Sequence, residues 1–74
     1  MKTLDMLKPG ESAVITEING QNTSLRRRLL DMGLTKDTKV SLQRVAPFGD
    51  PIELNVRGYS LTIRKSDAQL IEVN

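Results

Sequence analysis

One segment of the chain has the spacing of a helix, while the sequence after it alternates like a sheet. Leu25, Leu29 and Met32 recur at i, i+4 and i+7, which places all three on one face of an α-helix. Gly33 follows the last of them, so we expect a left-handed helix end of the Schellman type, with Leu34 folded back on Leu29. The sequence therefore predicts one short helix among strands.

The clearest β signal is a hairpin near the middle of the C-terminal half. Segments 52–56 and 59–63 each alternate apolar and polar residues, and Arg57-Gly58 between them predicts a two-residue turn. Segments 13–18 and 39–45 are further predicted strands, because both are rich in β-branched or alternating apolar residues. These segments together predict a sheet of short antiparallel strands.

The remaining segments complete a small barrel. The polar loop 19–24 is expected to cap the helix with its last side chains. The S-x-x-Q pattern that begins at Ser66 has the form of a capping box and predicts one helical turn before a closing strand at 70–73. We therefore expect a mainly β fold spanning 1–74 as a single domain, a curled barrel of about five strands with one inserted α-helix and a short C-terminal helical turn.

Composition excludes several classes of function. The 11 basic and 9 acidic residues give a net charge of +2, which is too small to attract polyanions over long distances. The chain has no cysteine and no histidine, so neither a disulfide, a thiolate nucleophile nor an imidazole base is available to it. We expect no catalytic residue, no cofactor and no tight iron site. The N-terminal residues have no apolar run that would serve as a signal or membrane span, which indicates a cytoplasmic protein.

Several motifs in this order resemble the FeoA-type domains of bacterial ferrous iron transport. The matching motifs are Leu7-Lys8-Pro9-Gly10-Glu11, the run from Arg27 to Leu34, the run from Ala46 to Ile52, Arg57-Gly58-Tyr59 with Leu61, and Arg64-Lys65 followed by Ala68 and Ile71. The resemblance implies an SH3-like barrel that serves as a cytosolic accessory to FeoB, a membrane transporter of ferrous iron with a cytosolic GTPase domain. Asp37 departs from the family pattern, where glycine is usual, but aspartate tolerates the left-handed region and the turn should survive.

The candidate site is the outer face of the helix together with one loop. Arg26, Arg27 and Leu30 are expected on that face, where an exposed leucine beside arginines is typical of an interface anchor with a polar rim. The alternative is a solvated face whose arginine stems cover the edge of the core. A bolder alternative has one arginine acting in trans on the GTPase of the partner. Phe48, in the proline-rich loop, is either a lid on the barrel end or a second exposed anchor.

Other roles stay open on the sequence alone. A nucleic-acid-binding barrel would contact phosphates through several arginines, namely Arg26, Arg27, Arg28, Arg57 and Arg64. Weak coordination of a metal would use carboxylates, namely Asp31, Asp37, Asp50 and Glu53. Tyr59 is expected to pack in the core with its hydroxyl at the rim. Weak self-association also stays open.

Overall fold

The computed structural model describes residues 2–20 and 23–74. Six strands, two α-helices and one 3-10 turn occur in this part of the chain. The helical elements are the 3-10 turn Leu4–Met6, α1 (Thr23–Asp31) and α2 (Lys65–Ala68). The strands are β1 (Lys2–Thr3), β2 (Ser12–Ile18), β3 (Lys39–Val45), β4 (Ile52–Val56), β5 (Tyr59–Ile63) and β6 (Ile71–Val73).

The strands form one antiparallel sheet in the order β1-β6-β2-β3-β4-β5. This confirms the mainly β class with one inserted helix, but six strands replace the expected five because Lys2 pairs with Val73 and Thr3 with Glu72. A register shift interrupts the β2–β6 ladder between Ile15 and Glu17, and another interrupts the β3–β4 ladder at Gln43. Such bulges bend and twist strands, so they let a small sheet curl around its core.

Helix α1 packs on the sheet by the face that its spacing predicts. Leu29 is fully buried, and Leu25 and Met32 are partly buried against the same core. The helix ends in a Schellman motif: the Leu34 N–H donates to the Leu29 carbonyl at 3.0 Å, and Gly33 has a φ of 90°. The predicted side-chain cap from the loop 19–24 falls on the undescribed stretch at the start of the helix.

The turns follow their predicted chemistry, whereas the start of α2 does not. Arg57 and Gly58 both have positive φ, 52° and 88°, as a type I′ hairpin requires, and Asp37 tolerates a φ of 71°. The prediction of a capping box at Ser66 is wrong. Helix α2 begins at Lys65, and the side chain of the preceding residue, Arg64, makes no capping hydrogen bond. A distant carboxylate supplies the acceptor instead, since the Lys65 N–H donates to Oδ1 of Asp50 at 2.9 Å.

Tyr59 also departs from expectation. Its side chain is exposed rather than part of the core, and its hydroxyl donates a hydrogen bond to the main-chain carbonyl of Met32. Strand β5 is thereby tied to the end of α1. No helix in the described part of the chain is both long and apolar enough to cross a membrane.

Candidate interaction surface

The outer face of α1 presents a leucine beside two arginines. Leu30 is 43% exposed although it belongs to a helix packed on the core. It follows Arg26 by four residues and Arg27 by three, so all three side chains share one surface of the helix. Leu30, Arg26 and Arg27 are thus exposed and close together, as the sequence predicts.

The three consecutive arginines have different surroundings. Arg26 lies 3.7 Å from Glu17 in a solvent-accessible ion pair, which holds it only loosely. Arg28 turns the other way and its Nη2 lies 3.1 Å from Oδ2 of Asp67, a mostly buried carboxylate on α2. Arg27 makes no ion pair or hydrogen bond within residues 2–20 and 23–74. Arg27 is therefore the arginine of this run whose charge is not paired within the described residues.

Phe48 projects from the loop between β3 and β4. Its side chain is 98% exposed, so the ring does not cover the end of the barrel, and the lid interpretation is wrong. Hydrogen bonds hold the loop that carries it: the Gly49 N–H donates to the Ala46 carbonyl at 2.8 Å, and the Ala46 N–H donates to the Pro51 carbonyl at 3.0 Å. The Asp50 carboxylate joins the same loop to α2. The ring is therefore presented by a fixed turn.

Two adjoining grooves lie beside this loop, and one of them extends to α1. One, of about 410 Å³, is lined by Val45, Ala46, Pro47 and other residues of β3, β4 and β5. The second, of about 300 Å³, reaches Arg28 of α1 and Met32 just after it. Pro51 and Thr62 line both grooves. Leu30 and Phe48 line neither groove, so the predicted residues occupy two separate positions, a helix face and a loop.

Val45 lies in this region although the alternation of residues 39–45 did not single it out. Val45 is an apolar residue that is 37% exposed and lines a groove. The bulge at Gln43 places Arg44 opposite outward Glu53 and Val45 opposite inward Ile52, but Val45 is the last residue of β3 and stays partly open to solvent. The signal was present in the sequence: inward Val40 and Leu42 predict that position 44 points inward, yet position 44 is arginine and position 45 is valine.

The carboxylates considered as metal ligands are dispersed. Asp50 accepts the Lys65 N–H, and Glu53 pairs with Arg44 at 3.2 Å. Among the described residues, no three acidic side chains come together in a way that would hold a metal ion.

The arginines proposed for phosphate contact are also dispersed. Arg26 and Arg28 are paired with carboxylates, and Arg57 points toward Thr38, with 3.4 Å between its Nη2 and the threonine Oγ1. Arg64 lies at the start of α2. They come from three different elements, and two of them are already partly neutralised.

Known proteins share both the sequence and the fold of this chain. A family model described as the FeoA domain matches residues 2–74. A fusion protein of Porphyromonas gingivalis, which combines Fe(2+) transport protein A with the Fe(2+) transporter FeoB, is 33% identical over 70 residues; these are 95% of this chain and 8% of the fusion. The chain thus spans less than a tenth of that relative.

Solved structures agree with this match. The FeoA protein of Chlorobium tepidum is 41% identical with a TM-score of 0.90, covering 99% of this chain and 69% of the other. The FeoA of Stenotrophomonas maltophilia, an SH3 domain protein solved with zinc, is 27% identical with a TM-score of 0.87, covering 100% and 91% of the two chains. With its SH3-like sheet and a family match over nearly all its length, the chain belongs to the FeoA family.

Proposed function

We propose that this chain is an accessory protein of bacterial ferrous iron uptake that acts by direct contact with the cytosolic portion of a FeoB-type transporter. The Porphyromonas gingivalis relative supports this pairing, because it carries the two proteins in one polypeptide. The Stenotrophomonas maltophilia relative, put forward as a ferrous iron transport activating factor, supports a regulatory role. In this proposal the chain works in the cytoplasm, and it binds its partner without catalysing a reaction.

The observation that carries the proposal is the presence of two exposed apolar anchors on rigid elements. Leu30 lies on a helix that packs on the core through Leu29, and Phe48 lies in a turn closed by main-chain hydrogen bonds. Burying a side chain of either type stabilises a complex by about 1.5–3 kcal/mol, and backbone that is already held in place loses little conformational entropy on binding. Arg26 and Arg27 would form the polar rim beside Leu30.

The test measures binding of the full chain to the cytosolic portion of FeoB from the same organism by isothermal titration calorimetry. Leu30→Glu and Phe48→Glu should each weaken binding about tenfold or more, as expected for interface anchors. Met6→Glu is the matched control, because Met6 is also an exposed apolar residue, at 56%, but lies on the 3-10 turn. It should bind like the wild type.

Circular dichroism and thermal unfolding establish that the three variants are folded. If Leu30→Glu and Phe48→Glu are folded and still bind with wild-type affinity, the proposed surface is wrong. If the wild type itself does not bind this portion of FeoB, the proposed partner is wrong.

A further inference from the structure

A polar pocket on the outer side of the sheet has no part in the proposed FeoB surface. It has a volume of about 440 Å³ and lies where β3 begins, close to the turn between β4 and β5. All the residues that line it in the described part of the chain are polar or charged, namely Asp37, Thr38, Lys39, Ser41, Asn55 and Arg57. We call it the Arg57 pocket. A pocket of this composition suits a charged, strongly hydrogen-bonding ligand.

Two cations, Lys39 and Arg57, line the Arg57 pocket. The last β3–β4 pair at this end is Val40 with Val56, and continuing that register by one residue brings Lys39 opposite Arg57, the first residue of the turn. Neither forms an ion pair within the described residues. Like charges in directly opposed positions repel and destabilise a sheet, and an anion between them would relieve that repulsion.

Hydrogen-bonding groups lie beside the two cations. Ser41 and Asn55 are direct cross-strand partners, so a hydroxyl and an amide stand next to each other. Oγ1 of Thr38 lies 2.7 Å from that of Thr35 and 3.4 Å from Nη2 of Arg57, which directs the guanidinium toward this side of the barrel. Guanidinium, ammonium and hydroxyl groups together are the donors that recognise phosphate oxygens.

The backbone around the pocket is unusual. Asp37 and Arg57 are the non-glycine residues with positive φ in the described part of the chain, and both line this pocket. The left-handed backbone belongs to the turns at these two positions, and it fixes where Asp37 and Arg57 sit at the pocket. The pocket is lined by two cations, Lys39 and Arg57, and by one carboxylate, that of Asp37, so its net charge is positive.

We propose that the Arg57 pocket binds the phosphate group of a small soluble compound, with Lys39 and Arg57 as the charged contacts and Ser41 and Asn55 as further hydrogen-bond partners. The carboxylate of Asp37 weakens this binding by repulsion. The proposal does not depend on FeoB, and the purified chain suffices to test it.

The test is a titration of the full chain followed by amide chemical shifts, at constant ionic strength and with chloride as the reference anion. Inorganic phosphate is one probe and guanosine triphosphate is the other. Saturable shifts confined to residues 37–41 and 55–57 are expected. Equal affinity for both probes would show that the phosphate group alone is recognised, whereas tighter binding of the nucleotide would assign the pocket to a larger phosphorylated compound.

Variants with opposite expected effects make the test specific. Lys39→Gln and Arg57→Asn should each weaken phosphate binding about tenfold, the loss expected for one charge-assisted hydrogen bond. Arg57→Asn creates Asn-Gly, the preferred pair for a type I′ turn, so the fold is retained. Asp37→Asn, which keeps a residue that tolerates left-handed backbone, should tighten binding severalfold.

Lys65→Gln is the control, because it removes the same charge from helix α2, outside the pocket. It should leave the affinity unchanged. The proposal is overturned if phosphate causes no more change than chloride, if Lys65→Gln weakens binding as much as Lys39→Gln, or if Asp37→Asn fails to tighten it.

Discussion

The Tyr59 hydroxyl donates to the Met32 carbonyl, and a Cβ atom built on Gly33 would lie 2.5 Å from that same hydroxyl oxygen. The φ of 90° favours glycine at this position, and a Cβ atom would in addition push the phenol away and break its hydrogen bond to Met32. The end of α1 and Tyr59, the first residue of β5, are therefore in close contact here.

Gly33→Ala should lower the free energy of unfolding by about 2 kcal/mol or more, because left-handed backbone and the steric clash add. Tyr59→Phe should lower it by about 1 kcal/mol through loss of one hydrogen bond. In the Tyr59→Phe background, Gly33→Ala should cost less than in the wild type. Urea unfolding of the four proteins measures this coupling, and strictly additive losses would show that the hydroxyl is not the obstacle.

Leu29→Ala and Leu30→Ala should separate the two sides of α1. Leu29 is completely buried, so its truncation leaves a cavity and should reduce stability by roughly 2–4 kcal/mol. Leu30 faces outward, so the same truncation should change stability by less than about 0.5 kcal/mol. Thermal unfolding measures both. Similar losses for the two variants would mean that the helix is rotated from the orientation described above.

Asp50→Ala should loosen the junction between the loop that carries Phe48 and helix α2. It removes the carboxylate that accepts the Lys65 N–H, so a loss of about 1 kcal/mol is expected, as for other helix caps. Asp50→Asn keeps an acceptor and should lose less. Asp31→Ala is a control at an exposed carboxylate. Amide exchange at Lys65 reports the effect locally, and it should be faster only in Asp50→Ala.

Duplex DNA binding distinguishes the arginine-based alternative. An interface that neutralises several phosphates would lose affinity with salt at a log–log slope of about −0.9 per phosphate. We expect no binding with a steep slope, because Arg26 and Arg28 are paired with carboxylates, which leaves Arg27 as the unpaired arginine of α1 in the described part of the chain, and Arg57 and Arg64 lie on other elements. Gel shifts at two salt concentrations measure it. Tight binding that falls steeply with salt would favour the nucleic-acid function instead.

Local patterns were sufficient to predict the parts of this fold that depend on neighbouring residues. The spacing of Leu25, Leu29 and Met32 predicted which face of the helix is buried, and Arg57-Gly58 predicted the hairpin turn. Leu30 and the arginines before it were predicted to be exposed for the same reason. Each of these features is determined within a few residues along the chain.

Contacts between distant residues account for what the sequence could not predict. The two-residue strand at Lys2 is too short to show any alternation, and it forms because β6 offers an edge. The start of α2 depends on Asp50, and the direction of Arg28 depends on Asp67, which is far from it in sequence. Whether Phe48 covers the end of the barrel or points into solvent likewise depends on where its loop lies relative to distant strands, so the sequence left both interpretations open.

The pairing of Lys2 with Val73 places the first and last strands, β1 and β6, next to each other in the sheet. A circular permutant that joins these neighbouring ends with a short linker and opens the chain at Arg57-Gly58 would keep every strand pairing except the hairpin connection. Because β1 and β6 are neighbours, the hairpin turn is a place where the chain could be opened without separating the first strand from the last.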